Sequence, residues 1–516
     1  MTEFWLKIDR TEKLLGRAQE LDEKFRRDPH RPRYHFMAPR GWMNDINGTI
    51  FWNGRYHVFY QHLPWGGVLK AMRWGHASSV DLVHWVHHPI ALTPSTDGYD
   101  RNGCWSGGAF VNHDGVPTII YQGWPEGACI ATSEDAMLTQ WRKHPANPVV
   151  RVPELGAAGF GEYAVVDPPC LDPCAWTDGG VTYALMGNHV PAFGGDGTYL
   201  FRSENLIHWE FLGPFYKSNR KWTEPHEDCA VPDFFPLADR HMLLFASHSR
   251  GSQYYLGRLE DNRYIPQVHG RMCWPGGQLG GPRTLLDGKG RRIYFDWIPE
   301  LRSDERQHAS GWSGVMTLPR ILSLGEDGAL RIAPVPEIEM LRMEPPVRRD
   351  VRLGADSELV IDEVRGDCLE LKVEMKPEGA QEFGVKLRCS PDGAEQTAVS
   401  FSAASGTLQV KVSQSTLDTD IRYTYYRSPE SFEETREKNR IVGAQQAPFA
   451  QGDEETLTLH IFLDRSVLEV FANERQCITQ RIYPTRPDSL DVRLFSIGGR
   501  TIFKAIEAWR MAPTHE

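Results

Sequence analysis

Asn44, Asp45 and Asn47 crowd the first half of GWMNDINGTIFWNGRYHVFYQ, Gly41 to Gln61. The second half reads as a hairpin: Thr49–Trp52 and Arg55–Gln61 are rich in β-branched and aromatic residues, and Asn53-Gly54 is a strong two-residue turn signal. An acid and two amides at the head of so apolar a strand suit a polar site better than a core. Two other stretches place acids ahead of apolar strands. Asp172-Pro173 precedes one, and TEPHEDCAVPDFF carries Glu224, Glu227, Asp228 and Asp233 before another. Paired carboxyl groups invite glycoside hydrolysis, in which one attacks the anomeric carbon and the other handles the proton of the leaving oxygen. Each acid also has an ordinary reading: an Asx turn at Asp45, an Asp-Pro turn at Asp172, a solvated acidic run around Glu227. Residue types alone do not choose among them.

The elements that must position these acids repeat along the chain. Echoes of the first hairpin run over Ala109–Gly123, Ala175–Gly187, Phe234–His248 and Thr284–Trp297. Each is an apolar strand, a turn of Gly, Asp or Asn, and a second apolar strand, a period that suits propeller blades. Between them SSVDLVHW, ATSEDAMLTQW and FRSENLIHW share a Ser, an acid, a Leu or Met, and then a Trp in one order. Residues 32–335 therefore read as a five-bladed β-propeller, with the first strand of each hairpin innermost. That arrangement puts Asp45, Ser106, Asp172 and Asp233 at comparable positions near the mouth of a central channel.

Beyond the propeller the texture changes. Pro334, Pro336, Pro345 and Pro346 mark a linker, and from residue 350 to 516 regular short strands suggest a C-terminal β-sandwich. Residues 1–31 form a short helical extension, with Leu14, Leu15, Ala18 and Leu21 on one face. The charged, helix-prone segment Ser428–Asn439 reads as a surface insertion. The fold class is thus all-β, a propeller followed by a sandwich. Sixteen Trp and 17 Tyr supply core and also faces on which sugars stack, while a net charge of -11 argues against nucleic acid. No apolar run is long enough to span a membrane. The N-terminal stretch lacks the apolar core of a secretory signal, so a cytoplasmic location is expected. The nine Cys are scattered, and the pair Cys170 and Cys174 has no second pair to complete a zinc site; reduced, mostly buried thiols and no metal are expected.

Several motifs together resemble glycoside hydrolase family 32, the invertase and fructan hydrolase family. HFMAPRGWMNDINGTIFW resembles the family's WMNDPNG signature, RWGHASSVDLVHW the segment that follows, and CWSGGAF the F-S-G-S motif. LDPCAW stands where R-D-P belongs and HEDCAVPDFF where E-C-x-D-F belongs. GWSGVMTLPR and IFLDRSVLEVFAN also match. The resemblance spans nearly the whole chain. It implies that Asp45 is the nucleophile, that Asp172 holds fructosyl hydroxyls and steadies the transition state, and that Glu227 is the acid/base. Asn44, Gln61, Trp105 and Ser106 would line the pocket.

The sequence departs from the family pattern at named positions. Ile46 replaces a Pro, and Leu69 stands where many members place a pocket Trp. Leu171 replaces the Arg of R-D-P, whose hydrogen bonds a Leu does not make. Glu227 lies six residues before Asp233 rather than three; strict spacing would put Ala230 at the acid/base position, and Glu224 is the reserve. The resemblance implies a retaining hydrolase of sucrose or short fructo-oligosaccharides, with a small sugar as its partner, no cofactor, and homo-oligomerisation left open. A fructosyltransferase and a non-catalytic sugar-binding propeller are the alternatives.

Overall fold

The computed structural model of the chain describes residues 20–64, 72–151, 170–188, 195–224, 226–424, 441–452 and 455–514. Leu14, Leu15, Ala18, Leu69 and the insertion at 428–439 lie outside the described residues; of the expected N-terminal helix, residues 20–27 are helical.

Five antiparallel sheets succeed one another from Gly41 to Pro334. Their innermost strands are Gly41–Trp52, Gly103–Val111, Cys170–Asp178, Ala230–Leu237 and Gly280–Leu286. Each touches the next and the last touches the first, which closes a five-bladed ring. All five hairpins expected from the repeat are present, and the first strand of each is indeed the inner one. Facing blades bury their apolar sides together: Ile50, Phe59 and Trp74 of blade one meet Ile119 and Tyr121 of blade two. A later segment seals the ring, for Trp312–Ser313 pairs in parallel with Gly41–Trp42 and Gly41 N–H donates to Gly311 O at 2.8 Å.

The repeated Ser-acid-Leu-Trp edge is one turn built three times. In each copy the Trp indole N–H donates to the Leu carbonyl three residues back, at 3.2 Å for Trp85, 2.8 Å for Trp141 and 2.8 Å for Trp209. The three leucines, Leu82, Leu138 and Leu206, all have positive φ. Asp81, Asp135 and Asn205 accept the turn's backbone N–H groups. The third copy therefore uses Asn205, and not its neighbour Glu204, in the acid's place.

The inner strands share a second device. Each carries a β-bulge at the same height: between Met43 and Ile46, Cys104 and Gly107, Leu171 and Cys174, Ala230 and Asp233, and Gly280 and Arg283. A bulge takes residues out of the ladder and re-aims their side chains. The residues so released are Asn44-Asp45, Trp105-Ser106, Asp172-Pro173, Val231-Pro232 and Gly281-Pro282. This register corrects one expectation. In blade four the comparable place belongs to Val231-Pro232, while Asp233 is back in the ladder, paired with Leu244. Its carboxylate ties blade four to blade five by accepting from Thr284 N at 2.8 Å and Thr284 Oγ1 at 2.7 Å.

Two six-stranded sheets between Val347 and Arg510 form the sandwich, packed face to face over Leu371, Val373, Val385, Leu459 and Val470. Buried charge joins it to the propeller. Asp464 accepts from the backbone N–H of Arg33, Tyr34 and His35 at 2.7, 2.9 and 2.9 Å. Glu469 accepts from Leu318 N at 2.9 Å and pairs with Arg320 at 3.0 Å. Cys104, Cys129, Cys174, Cys229, Cys273, Cys389 and Cys477 are free thiols and buried, and Cys368 is free and partly buried.

Candidate active site

Asp45 leaves the first inner strand at its bulge, between Met43 and Ile46. Its carboxylate does not stand alone. Ser106 Oγ, released by the matching bulge of blade two, donates to Asp45 Oδ2 at 2.7 Å. Gln61 Nε2 donates to Ser106 Oγ at 2.5 Å, and Asn44 Nδ2 donates to Gln61 Oε1 at 3.1 Å. Four of the residues expected in the pocket thus form one chain of hydrogen bonds ending on the acid. Trp105, beside Ser106, packs at 40° to Trp124 with ring centroids 5.7 Å apart, and its carbonyl accepts from Trp74 Nε1 at 3.0 Å.

Blade five shapes the other side of Asp45. Gly281 has φ +91°, and a Cβ placed there would lie 2.6 Å from Asp45 Cα and 2.7 Å from its Oδ1. Glycine is required there twice over, by backbone conformation and by the closeness of the acid. Asp172, in the third bulge, has φ +53° and is buried, and its Oδ2 accepts from Val231 N of the fourth bulge at 3.3 Å. Its charge acts on Asp45. Burial first and Asp172 second raise the Asp45 pKa above the ordinary carboxylate range, against the opposing effects of Ser106, His248 and Asn44. Leu171, ahead of that bulge, is buried.

Blade four holds the candidate acid/base Glu227. Glu227 is fully buried, and its partners lie on the outer strands of its blade. Gln253 Nε2, on the third strand, donates to Oε2 at 2.7 Å; Arg271 Nη2, on the fourth, donates to Oε1 at 2.9 Å. Burial works to raise the Glu227 pKa, but the Arg271 charge and these bonds outweigh it and hold the carboxyl below its usual range. Glu224, half exposed, pairs with Arg250 at 2.6 Å. Ala230 occupies the residue before the bulge, in a small apolar patch with Val231 and Ala246.

Asp228 is bound to a group the sequence reading passed over. His248 follows the second strand of the blade, and its Nδ1 lies 2.5 Å from Asp228 Oδ2. Asp228 Oδ1 also accepts from His248 N at 2.9 Å and Ser247 Oγ at 3.3 Å. Asp228 is 1% exposed and His248 24%. Burial opposes the imidazole's charge, yet Asp228, Asp172 and Asp45 together push its pKa up to about 9. Hydrogen bonds thus join Asn44, Gln61, Ser106 and Asp45 of the expected set, Trp105 stands beside Ser106, the charge of Asp172 bears on Asp45, and Glu227 is bound to Gln253 and Arg271. A His at the end of an apolar strand was the available signal for His248.

Comparison with known proteins gives one result. The pattern of the glycosyl hydrolases family 32 N-terminal domain matches residues 35–334, and that of the family 32 C-terminal domain matches residues 337–510. The chain is 30% identical to a sucrose-6-phosphate hydrolase of Zymomonas mobilis, over 93% of this chain and 92% of that one. It is 30% identical to a raffinose invertase of Escherichia coli, over 93% and 95%. Among solved structures it resembles fructan 1-exohydrolase IIa of Cichorium intybus, with a TM-score of 0.79 at 24% identity over 94% of this chain and 98% of that one.

Proposed function

This chain belongs to glycosyl hydrolase family 32, and on that premise we propose that it is a retaining β-fructosidase that releases fructose from sucrose or short fructo-oligosaccharides. Family membership makes it a β-fructofuranosidase-like glycoside hydrolase; the substrate and the residue roles are our reading. One observation carries that reading: Asp45 stands at a bulge on the propeller's hub, oriented by Ser106 and next to the charge of Asp172.

Asp45 attacks C2 of the fructosyl unit and forms a fructosyl-enzyme ester, which water then hydrolyses. Ser106 fixes the attacking oxygen's direction, and the Gln61–Asn44 chain fixes Ser106. Asp172 accepts from fructose hydroxyls and its negative charge favours the oxocarbenium-like transition state. Trp105, with Trp124 behind it, offers an aromatic face to the sugar. The names of the relatives, a sucrose-6-phosphate hydrolase and a raffinose invertase, suit short fructosides.

The test is fructose release from sucrose, sucrose 6-phosphate, raffinose, kestose, inulin and levan by the wild type and by Asp45→Ala. The wild type is expected to act best on the short members, and Asp45→Ala to lose several orders of magnitude of turnover. A wild type that releases no fructose from any of them would make the chain a sugar-binding propeller. Transfer products that lengthen as sucrose is raised would make it a fructosyltransferase.

A further inference from the structure

The sandwich has two outer faces and uses them differently. One is covered by the propeller: Phe462, Phe471 and Trp509 share a buried cluster with Phe36 and Leu318. The other belongs to the sheet in which Ser357–Arg365, Asp491–Ile497, Glu382–Cys389, Thr397–Ser402, Thr407–Lys411 and Ala444–Pro448 lie side by side. Val385, Val399 and Val410 of that sheet point into the core. The alternation of a strand therefore turns their neighbours Lys386, Ala398 and Lys411 outward. These three are cross-strand partners in one row. An alanine between two lysines leaves a hollow, and a cavity of about 500 Å³ opens there. That size lies in the range of small-molecule sites.

We propose that this cavity is a second sugar site, which holds a short neutral saccharide, here a fructoside, on the sheet that does not face the propeller. That the sugar is a fructoside rests on the β-fructosidase reading above. The charges around the cavity are balanced. Asp356, Glu358 and Glu382 stand against Lys386, Lys411 and Arg493, the last bound to Glu358 at 2.9 Å. Each pair is held in place. Lys411 Nζ donates to Glu382 Oε2 at 2.7 Å, and Ser400 Oγ donates to Glu382 Oε1 at 2.8 Å. Lys386 pairs with Glu358, and its ammonium stands 5.5 Å from the centre of the Phe495 ring.

Such a lining selects against charge. An ionic ligand meets a like charge beside every opposite one, and gains a counter-ion only by breaking a pair. A hydroxyl breaks nothing. It donates to a carboxylate and accepts from the adjacent ammonium at once, because a carboxylate oxygen keeps a further lone pair and an ammonium has three N–H groups. Two such pairs, one on each side of Ala398, suit the neighbouring hydroxyls of a sugar ring, and hydrogen bonds to charged groups are the strong ones. Gln396 and Gln414 add a neutral pair to the wall. Gln396 Nε2 donates to Gln414 Oε1 at 2.7 Å, which leaves the Gln396 carbonyl oxygen and the Gln414 amide nitrogen for a ligand. A saccharide held here is not cleaved, for Asp45 and Ser106 belong to inner strands of the propeller and the first sandwich sheet stands between. It is kept on the enzyme, which raises its effective concentration at the hub.

The experiment is equilibrium dialysis of the full-length Asp45→Ala chain, which does not consume the ligand, against kestose. Two kestose molecules per chain are expected, one at the hub and one on the sandwich. Adding Glu382→Gln with Lys411→Met should weaken the sandwich site by roughly 10- to 100-fold, the usual contribution of hydrogen bonds to charged groups, and leave one molecule bound. Ala398→Phe, which fills the hollow and spares the ion pairs, should do the same; thermal melting shows that each variant is folded. Placed in the wild-type chain, these changes should leave kcat/KM for sucrose unchanged. Sodium chloride and inorganic phosphate should not displace the second kestose, since screening and counter-charge do not act on a neutral ligand. One kestose in the parent chain, two in both variants, or displacement by phosphate would overturn the sandwich site while the β-fructosidase reading stands. If the wild type cleaves no fructoside, that reading falls, and the dialysis still decides whether the sandwich binds sugar.

Discussion

Asp45 must be ionised to attack, yet burial and its neighbour Asp172 both work against its charge. Ser106 is the side chain that relieves this most, through its 2.7 Å hydrogen bond. Because the nucleophile's pKa is raised, the acid limb of kcat/KM should lie above the ordinary aspartate range. Ser106→Ala should move that limb further up by about one to two units, since a hydrogen bond to a charged group contributes ~1.5–3 kcal/mol and each unit is ~1.4 kcal/mol. A pH–rate profile checks the direction, and an unmoved limb would mean that another group sets it. Much at this scale was legible in the sequence. Asn44, Asp45, Gln61 and Ser106 lie in dense motifs where polar residues interrupt apolar strands, and the interruption marks them. The partners of Glu227 were not legible. It and Asp228 precede the strand that begins at Ala230, and outside a strand no alternation says what either of two neighbouring acids will bind.

At the scale of the strand, the device that builds the site is the bulge repeated on all five inner strands. It lifts Asp45, Ser106 and Asp172 out of their ladders toward one another, and in blade five it brings Gly281 against Asp45. Gly281→Ala should therefore displace the nucleophile and strain a positive-φ backbone. A stability loss of about 1–3 kcal/mol with a much larger fall in kcat/KM is expected, measured by thermal melting beside sucrose turnover. Equal activity with the wild type would show that the close approach does not matter. The hairpins were readable because their turns and β-branched runs are local. The bulges were not read, for one extra residue barely disturbs an apolar run. Pro173, Pro232 and Pro282 were the missed signal: a proline inside an inner strand has no N–H for the ladder and belongs at a bulge.

Across the whole molecule, the propeller and the sandwich are locked by charges buried between them. Glu469 binds Leu318 N, Arg320 and, at 3.4 Å, His35. Glu469→Ala leaves Arg320 enclosed without its counter-ion and should cost about 3–5 kcal/mol, read as a lowered Tm. The pH dependence has two sides. Burial opposes the His35 charge, but Asp464 and Glu469 outweigh it and raise its pKa, so that part of the stability is full below the unfolded histidine value and fades as pH rises through the raised one. Asp464 and Glu469 are held low despite burial, so theirs is full above the ordinary carboxylate range and is lost as pH falls through their depressed values. The two-part architecture was visible as a change of texture after the propeller, but this lock was not, because it joins residues such as Asp464 and Arg33 that are remote along the chain. What the assembled molecule is for comes down to one covalent event at the hub. Acid quenching during sucrose turnover, followed by peptide mapping, should find one anhydrohexose on the peptide that contains Asp45; the same increment on another acid, or on none in an enzyme that is turning over, would contradict the account.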